Sequence, residues 1–317
     1  MIQMAEPKTV EELFAASSTD KIQTTDDVVA RNVIKNLVYE ASDLISVGEQ
    51  VVVRRVLDDL RAEWKVPSAF DAQYPVAEGA RPSRESISWY GKTLDLLKAS
   101  VRFLITDEAR IVGQENWQWE VSMKRAAEAM AGVIDACILD NLYLYHYTSN
   151  DTAVGAYWDV PAGTPEDDII ATWGLILTNS NANEAELKGA QLVTPIDVYP
   201  YLMQIQLINN VQQSTANFIS TGFGLSFLPT RRTSSKTYGY SLTGGFDGTD
   251  ALMVVKSDQC AIFGEYNGDA ANLVESAREV GVGDEYNVRR FFNTAVIPRD
   301  SSDTTNERLG AITGVDA

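Results

Sequence analysis

The amino-acid sequence predicts an α+β fold in which several elements are elongated. Three observations support this class: an amphipathic helical segment near the start, a long two-limbed extended stretch with a tip rich in Gly and Pro, and one long helix followed by a mixture of helix and strand patterns. No segment recurs with a period of about 20 to 50 residues, which argues against solenoids and propellers. The apolar share of 45% is that of a folded protein.

Residues 1–61 are predicted to be helical in pieces. The sequence from Thr9 to Glu12 has the capping-box pattern that begins many helices, and Thr25-Asp26-Asp27 opens a second, longer helix. The apolar residues of this second helix recur at helical spacing: Val28, Val29, Val33, Ile34, Leu37, Val38 and Ala41. We expect this apolar stripe to be buried either within the same subunit or on a neighbouring one.

Residues 62–105 are predicted to form a long hairpin-like excursion. A polar tip from Glu78 to Glu85 contains Gly and Pro, and a return limb runs from Ile87 to Ile105 with imperfect alternation of apolar and polar residues. The first limb carries large apolar residues: Trp64, Val66, Phe70, Tyr74 and Val76. The imperfect alternation of the return limb is typical of a strand that is packed on only part of its length.

The next segment predicts the clearest helix of the chain, which we call the spine helix. Thr106-Asp107-Glu108 provides a cap, and helical spacing then continues along a rod on the order of 35 Å long. One stripe holds the apolar residues: Trp119, Met123, Ala126, Met130, Val133, Cys137 and Leu142. Small residues crowd the other positions, so other elements can approach its backbone closely.

The remainder is predicted to mix short helices and strands. After a loop from Asn150 to Thr164, we expect helices at Glu166–Thr178, Glu184–Gly189, Ile196–Ile219 and Asp269–Arg278. Strand patterns occupy residues 191–195, 224–229, 251–256, 260–266 and 285–297, and a last apolar piece occupies 309–315.

The charge balance limits the classes of partner. Lys and Arg number 26 against 44 Asp and Glu, which gives a net charge of −18, and basic residues cluster only in pairs such as Arg54-Arg55, Arg231-Arg232 and Arg289-Arg290. This disfavours tight, sequence-independent binding of nucleic acid. No apolar run reaches the roughly 20 residues of a membrane span, and the first residues lack the pattern of a secretion signal. We expect a soluble protein with no membrane partner.

The sequence offers little for catalysis. His146 is the single histidine and lies in an aromatic run at the end of the spine helix, where we expect a structural role. The glycine loops that bind nucleotides are absent from the sequence, and Cys137 and Cys260 lie in apolar surroundings that predict unpaired core residues. Asp247 and Asp250 flank a glycine turn that is more typical of a hairpin than of a calcium loop. We therefore expect no catalytic residue, no cofactor-binding residue, no metal site, no cofactor and no enzymatic activity.

The order of these elements resembles the major capsid protein of tailed viruses, whose Hong Kong 97-type capsid fold is shared with encapsulin shells. The similarity is closest from Val76 to Leu142. It is carried there by Val76-Ala-Glu-Gly-Ala-Arg-Pro as the loop tip, Leu94 to Glu108 as the returning strand and spine cap, and Ala127 to Leu142, with Asp135 and Asp140, as the spine. Gly224 to Pro229 and Val254 to Tyr266 more distantly resemble the turn and strands that close the axial domain.

The resemblance implies four parts of the chain. These are an N-terminal arm with helices at 1–61, an extended loop at 62–105, a peripheral domain with the spine helix at 106–156 and 268–317, and an axial domain at 157–267. Lys65, Lys92 and Lys98 lie in the loop region, but none of them can be matched to the crosslinking lysine of some family members.

The resemblance also implies a function. The chain would be a structural protein that assembles through pentamers and hexamers into an icosahedral shell around a double-stranded DNA genome. Its partners would be further copies of itself and packaged DNA held without sequence-specific binding, with portal, scaffolding and decoration proteins as candidates. Its location would be the virion, after assembly in the host cytoplasm.

Three other interpretations stay open at this point. An encapsulin-like nanocompartment would need a cargo protein and small uniform particles without DNA. An enzyme of unrelated fold would be a monomer or small oligomer that a ligand stabilises. A tail or baseplate component would form rings or tubes.

Overall fold

The computed structural model describes most of the chain. The described residues are 28–67, 89–112, 115–160, 162–180, 182, 187–208, 211–230, 245–246, 248–268, 273–279, 282–298 and 303–316. The helix predicted to begin at Thr9, the loop tip from Glu78 to Glu85 and the first half of the helix predicted at Glu184–Gly189 lie outside these residues.

The first part of the described chain runs from a helix into a hairpin and then into the spine helix. Its elements are, in order, α1 (Val28–Ile45), α2 (Gly48–Val51), β1 (Val53–Leu57), β2 (Arg61–Pro67), β3 (Trp89–Asp95), β4 (Leu97–Thr106), α3 (Asp107–Ile111) and α4 (Glu115–Leu144). The second predicted arm helix is confirmed as α1, and the spine helix is confirmed as α4. The predicted start of the spine helix at Thr106 is wrong, because Thr106 caps the separate helix α3 and the spine helix begins at Glu115.

The second part alternates between strands and short helices. Its elements are β5 (Thr152–Ala153), α5 (Pro165–Asn179), β6 (Ala190–Pro195), α6 (Tyr199–Leu202), β7 (Ile205–Ile208), β8 (Val211–Ser214), α7 (Thr215–Phe223), β9 (Ser226–Thr230), β10 (Ala251–Val255), β11 (Ala261–Tyr266), β12 (Val274–Glu279), β13 (Gly283–Val296) and β14 (Leu309–Thr313). The helix predicted at Glu166–Thr178 is confirmed, and strands occupy the segments where the sequence predicts strand patterns.

Strands β2 and β3 form an antiparallel hairpin over part of the predicted two-limbed excursion, whereas the rest of the predicted return limb is β4 of the first sheet. Strands β2 and β3 pair along their length, from Arg61 opposite Asp95 to Pro67 opposite Trp89. The root of the hairpin packs on the first sheet through Leu94, which joins a small apolar cluster with neighbouring side chains. A Cβ atom at Gly264 would lie 2.5 Å from Leu94 Cδ2, so the glycine permits this close approach.

The first sheet has the strand order β1-β11-β13-β12, and β4 pairs with β13 as well. The long strand β13 is paired with β12 near its start and with β11 near its end, while β4 runs antiparallel to it from Thr106 opposite Gly283 to Leu97 opposite Phe292. One face of this sheet packs against α1 and the N-terminal half of α4. The buried residues of that contact are Ile34, Val38, Tyr39, Ala41, Ile105, Met123, Ala126, Ala127, Val274, Tyr286 and Val288.

The second sheet has the order β5-β14-β10-β6-β9 and is buried on both faces. All five residues of β10 are buried. Ala251, Met253 and Val255 pack with α5 and α7, whereas Leu252 and Val254 pack with the C-terminal half of α4. This alternation explains why the strand is a continuous apolar run in the sequence.

The spine helix is fixed at its start and near its middle by polar contacts. The Thr106 hydroxyl accepts a hydrogen bond from the Ala109 backbone N–H at 3.2 Å and caps α3, the short helix that precedes the spine. Further along, Asp135 Oδ1 accepts hydrogen bonds from the Gly48 backbone N–H at 2.7 Å and the Ser46 hydroxyl at 2.6 Å. The spine therefore anchors α2, which follows the arm helix.

The helix predicted from Ile196 to Ile219 is wrong. The structure divides this segment into the short helix α6, the antiparallel pair β7–β8 and the helix α7. The β-branched residues Ile205 and Ile208 favour an extended backbone. Ser214 then starts a new helix, because its side chain accepts a hydrogen bond from the Asn217 backbone N–H at 3.2 Å.

The short helix predicted at Asp269–Arg278 is also wrong over its described part. Val274–Glu279 is the strand β12, paired antiparallel with β13 from Val274 opposite Val288 to Glu279 opposite Gly283. Val274 is buried among the residues that seat the arm helix. Pairing with the next strand of the chain therefore outweighs the local helical preference of this segment.

Candidate functional site

The single histidine is part of a structural junction at the end of the spine helix. Its Nε2 atom lies 2.9 Å from Asp151 Oδ2, and its Nδ1 atom contacts the Tyr143 carbonyl. Burial lowers the pKa of His146, but the hydrogen bonds with Asp151 and the Tyr143 carbonyl outweigh it and raise the pKa above its usual value. Asp151 Oδ1 also accepts a hydrogen bond from the Ala311 backbone N–H at 3.1 Å, so the group holds the strand β14 in place.

The acidic glycine turn near Asp250 serves the core. Asp250 is buried, accepts a hydrogen bond from the Tyr143 hydroxyl, and accepts another from the Gly314 backbone N–H at 2.7 Å. Asp247 lies outside the described residues. Among the residues that the structure describes, no group of three or more His, Cys, Asp or Glu side chains is arranged to hold a metal ion.

The two cysteines are buried thiols, and the prediction that they form no disulfide is confirmed. Burial raises the pKa of the Cys137 thiol to about 11, so it remains protonated at neutral pH. Its sulfur lies 3.8 Å from the Thr294 hydroxyl. Both residues belong to the core cluster around the C-terminal half of the spine helix.

The β2–β3 hairpin extends the molecule beyond its core. Within the described residues, the two strands form a ladder only with each other, and their root packs on the first sheet. Trp64 and Lys92 also approach Arg55 and Tyr145. Trp89, at the described end of β3, is 61% exposed. A two-stranded hairpin is marginally stable in water without further packing. This hairpin is therefore a candidate for contact with another molecule.

A second candidate surface carries no charge and covers one face of the second sheet. The sequence has no charged residue from Val198 to Thr230 or from Ile169 to Asn183, although charged residues make up 22% of the chain. These two segments supply most of α5, the β7–β8 hairpin and α7, and α7 contacts both of the others. We call this surface the uncharged face. Its exposed residues include Ala171, Gly174, Leu177, Thr178, Met203, Gln204, Gln212, Asn217, Ser220, Thr221 and Gly222.

Sequence analysis missed the uncharged face, although the signal is present in the sequence. Leu177 is 46% exposed and Met203 is 51% exposed, so two large apolar side chains stand among small and uncharged polar ones. The long run without Asp, Glu, Lys or Arg can be read directly from the order of the residues. Its meaning depends on the fold, because only the fold places the two separate segments side by side.

The other feature that was not predicted is an ionic cluster with a buried centre and a partly exposed edge, where the side chains of Arg54 and Asp43 are 40% and 25% exposed. Arg290, on β13, is 1% exposed, and its guanidinium contacts Asp43 at 2.7 Å and Glu265 at 2.8 Å. Arg54, on β1, contacts Asp43 at 2.7 Å and also pairs with Glu265. Glu49 lies 3.3 Å from Arg290 and 3.6 Å from Arg54. We call these five residues the Arg290 cluster.

The chain is similar to known proteins in its fold and not in its sequence. No protein-family model matches the sequence, and no curated protein matches it. No described helix is long and apolar enough to cross a membrane.

Solved structures match over most of the chain. A virus-like particle from Pyrococcus furiosus is 8% identical, with a TM-score of 0.56 over 88% of this chain and 97% of that one. The capsid of the cyanophage P-SCSP1u is 12% identical, with a TM-score of 0.56 over 84% and 87% of the two chains. The mature capsid of bacteriophage PhiM1 is 8% identical, with a TM-score of 0.58 over 84% and 86%. The chain therefore has the Hong Kong 97-type capsid fold that the sequence resemblance predicted.

Proposed function

We propose that this chain is the major capsid protein of a tailed virus, a structural subunit that assembles into a closed shell. The observation that carries the proposal is the match of almost the whole fold to shell subunits, which covers most of both chains in each comparison. A fold alone does not determine function. Two surfaces of the subunit support the shell function as well, because they suit contact between copies of this chain.

The β2–β3 hairpin supports contact with a neighbouring subunit. It leaves the core at Leu94 and presents Trp89 to solvent. A partner that covered the hairpin would bury this aromatic ring and complete the packing that two isolated strands lack. By analogy with the fold, the extended loop at 62–105 lies over an adjacent subunit.

The uncharged face supports contact between copies around a symmetry axis. Each subunit carries a net charge of −18, so identical chains repel each other wherever acidic surfaces meet. A face without charge allows two copies of the chain to approach closely and to bury Leu177 and Met203 at their contact. In this proposal the axial domain at 157–267 forms pentamers and hexamers through this face. The peripheral domain at 106–156 and 268–317 joins these into an icosahedral shell.

The acidic composition suits a wall that encloses double-stranded DNA without binding its sequence. Portal, scaffolding and decoration proteins are candidate partners, the host cytoplasm is the place of assembly, and the virion is the final location. In this proposal the chain is a structural protein and not an enzyme.

An encapsulin-like nanocompartment is the second candidate. It is favoured by one observation, the match to a virus-like particle, which covers 88% of this chain and 97% of that one. The two candidates share the subunit fold and differ in what the shell holds.

Negative-stain microscopy and light scattering on the full-length chain, at salt concentrations from low to molar, test the proposal. We expect closed shells tens of nanometres across. Nuclease-resistant DNA inside particles from the native source would identify a virus, and a co-purified enzyme would identify a compartment. Rings or tubes would indicate a tail component. Monomers or dimers under every condition, with added scaffolding protein as well, would contradict the shell function.

A further inference from the structure

The arm helix α1 is joined to the first sheet by two kinds of contact. Its apolar residues Ile34, Val38 and Ala41 are fully buried against the sheet and the spine helix. Its C-terminal end meets the Arg290 cluster, where Asp43 accepts a hydrogen bond from Arg290 at 2.7 Å. Because one buried guanidinium contacts α1, α2 and β11 together, the cluster determines how the arm is seated.

The Arg290 cluster holds more carboxylates than guanidiniums. Asp43, Glu49 and Glu265 share the two cations Arg290 and Arg54, so the cluster carries one surplus negative charge when all three acids are ionised. A buried charge without full compensation is destabilising, and the usual response is to bind or release a proton. The seated arm therefore favours an extra proton in this cluster.

Glu49 is the least well bonded of the three acids. Its side chain is 9% exposed, and its Oε1 atom has no hydrogen-bond partner. The nearest cationic atom, Arg290 Nη2, is 3.3 Å away and is also without a hydrogen bond. Asp43 and Glu265, in contrast, each accept hydrogen bonds from both arginines.

We propose that Glu49 binds a proton when the arm helix seats on the first sheet, so that the arm is held more firmly in mild acid than at neutral pH. The protonation state of the Arg290 cluster then controls how firmly the N-terminal arm is held. This device is separate from the shell function, because it operates within one subunit whether or not the copies assemble.

The electrostatics of the site give the direction and the pH range. Burial raises the pKa of the Glu49 carboxyl from its ordinary value of 4.5 to about 7, against the opposing effect of Arg290. Because the seated pKa lies above the free value, the extra stability is fully present below about pH 4.5. It is lost as the pH rises through about 7. One proton corresponds to about a tenfold change in the seating equilibrium per pH unit within this range.

Further charged or titratable groups lie near the Arg290 cluster. Tyr39 stacks on Arg290 at 4.9 Å, and burial raises the pKa of its hydroxyl, so it stays neutral in this range. Three more charged side chains contact residues next to the cluster: Lys35 lies over the Tyr39 ring, Asp135 accepts a hydrogen bond from the Gly48 backbone N–H, and Lys256 donates one to the Gln50 carbonyl.

Hydrogen–deuterium exchange on the full-length chain tests whether Glu49 binds a proton when the arm helix seats. Exchange of peptides that cover residues 34–52 would be followed from pH 5 to pH 8, with times corrected for the intrinsic pH dependence of amide exchange. We expect protection to fall about tenfold per pH unit up to about pH 7 and then to level off. The Glu49→Gln variant, which resembles the protonated acid, should show protection without this slope.

A matched variant and a direct measurement make the test decisive. Glu63→Gln removes the same charge from an exposed position on β2 and should keep the slope of the unmodified chain. Infrared spectra of the chain with labelled glutamate should show a protonated carboxyl that disappears near pH 7, even if Glu49→Gln folds poorly. Flat protection in the unmodified chain, an unchanged slope in Glu49→Gln or an absent protonated band would each overturn the proposal.

Discussion

Replacing Trp89 by Ala should weaken assembly and leave the subunit intact. A tryptophan side chain buries roughly 200 Å², and Trp89 is 61% exposed in the isolated subunit. About 120 Å² is therefore free to be covered by a neighbour, which at about 25 cal/mol per Å² corresponds to about 3 kcal/mol per contact. This predicts that association at that contact falls by about 100-fold.

The assay is the protein concentration at which light scattering first detects particles, measured beside chemical denaturation of the unassembled subunit. Trp89→Ala should raise that concentration and change the free energy of unfolding by less than about 0.5 kcal/mol. Leu94→Ala, at the buried root of the same hairpin, should instead destabilise the subunit by about 2 to 5 kcal/mol. Unchanged assembly in a folded Trp89→Ala variant would refute the assignment of the hairpin to a subunit contact.

Three further changes test other parts of the molecule. Gly283→Ala places a Cβ atom 2.0 Å from the Ile105 carbonyl oxygen and should lower the free energy of unfolding by more than about 2 kcal/mol, whereas Gly155→Ala, with open space around it, should not. Leu177→Asp should impair assembly most at low salt, and the uncharged control Leu177→Asn should show no such salt dependence. Asp151→Asn should lower the midpoint of the single histidine resonance in an NMR titration, because the Asp151 hydrogen bond raises the pKa of His146; an unchanged midpoint would contradict this.

The elements that were predicted correctly are those specified by local pattern. The apolar stripe of α1 was visible from residue spacing, and Ile34, Val38 and Ala41 are buried as that spacing requires. The spine helix was equally clear, because Met130 and Leu142 lie on one helical stripe and are both buried. The spacing of apolar residues in a helix indicates which face is buried. Both helices could therefore be predicted without knowing which elements pack against them.

The elements that were missed depend on pairing with another strand, which their own residue pattern does not reveal. Val274–Glu279 becomes a strand because Gly283–Val296 pairs with it, and Ile205–Ile208 becomes a strand through Val211–Ser214. Arg290 belongs to a basic pair that suggests an exposed site, yet strand alternation turns it into the interior toward Glu265. Such contacts join residues whose relation depends on the topology of the whole fold.

The distribution of charge is relevant to the Arg290 cluster, to the uncharged face and to the proposed shell. A subunit with a net charge of −18 gains nothing from acidic contacts with its own copies, so stable association requires surfaces where charge is absent or paired. Leu177 and Met203 lie on a surface where charge is absent, and charges are paired in the Arg290 cluster. Because the cluster is short of one cation, its balance depends on a proton, whereas the uncharged face has no group that titrates near neutral pH. Changes of pH should therefore act on the arm, and changes of salt should act on the contacts between copies.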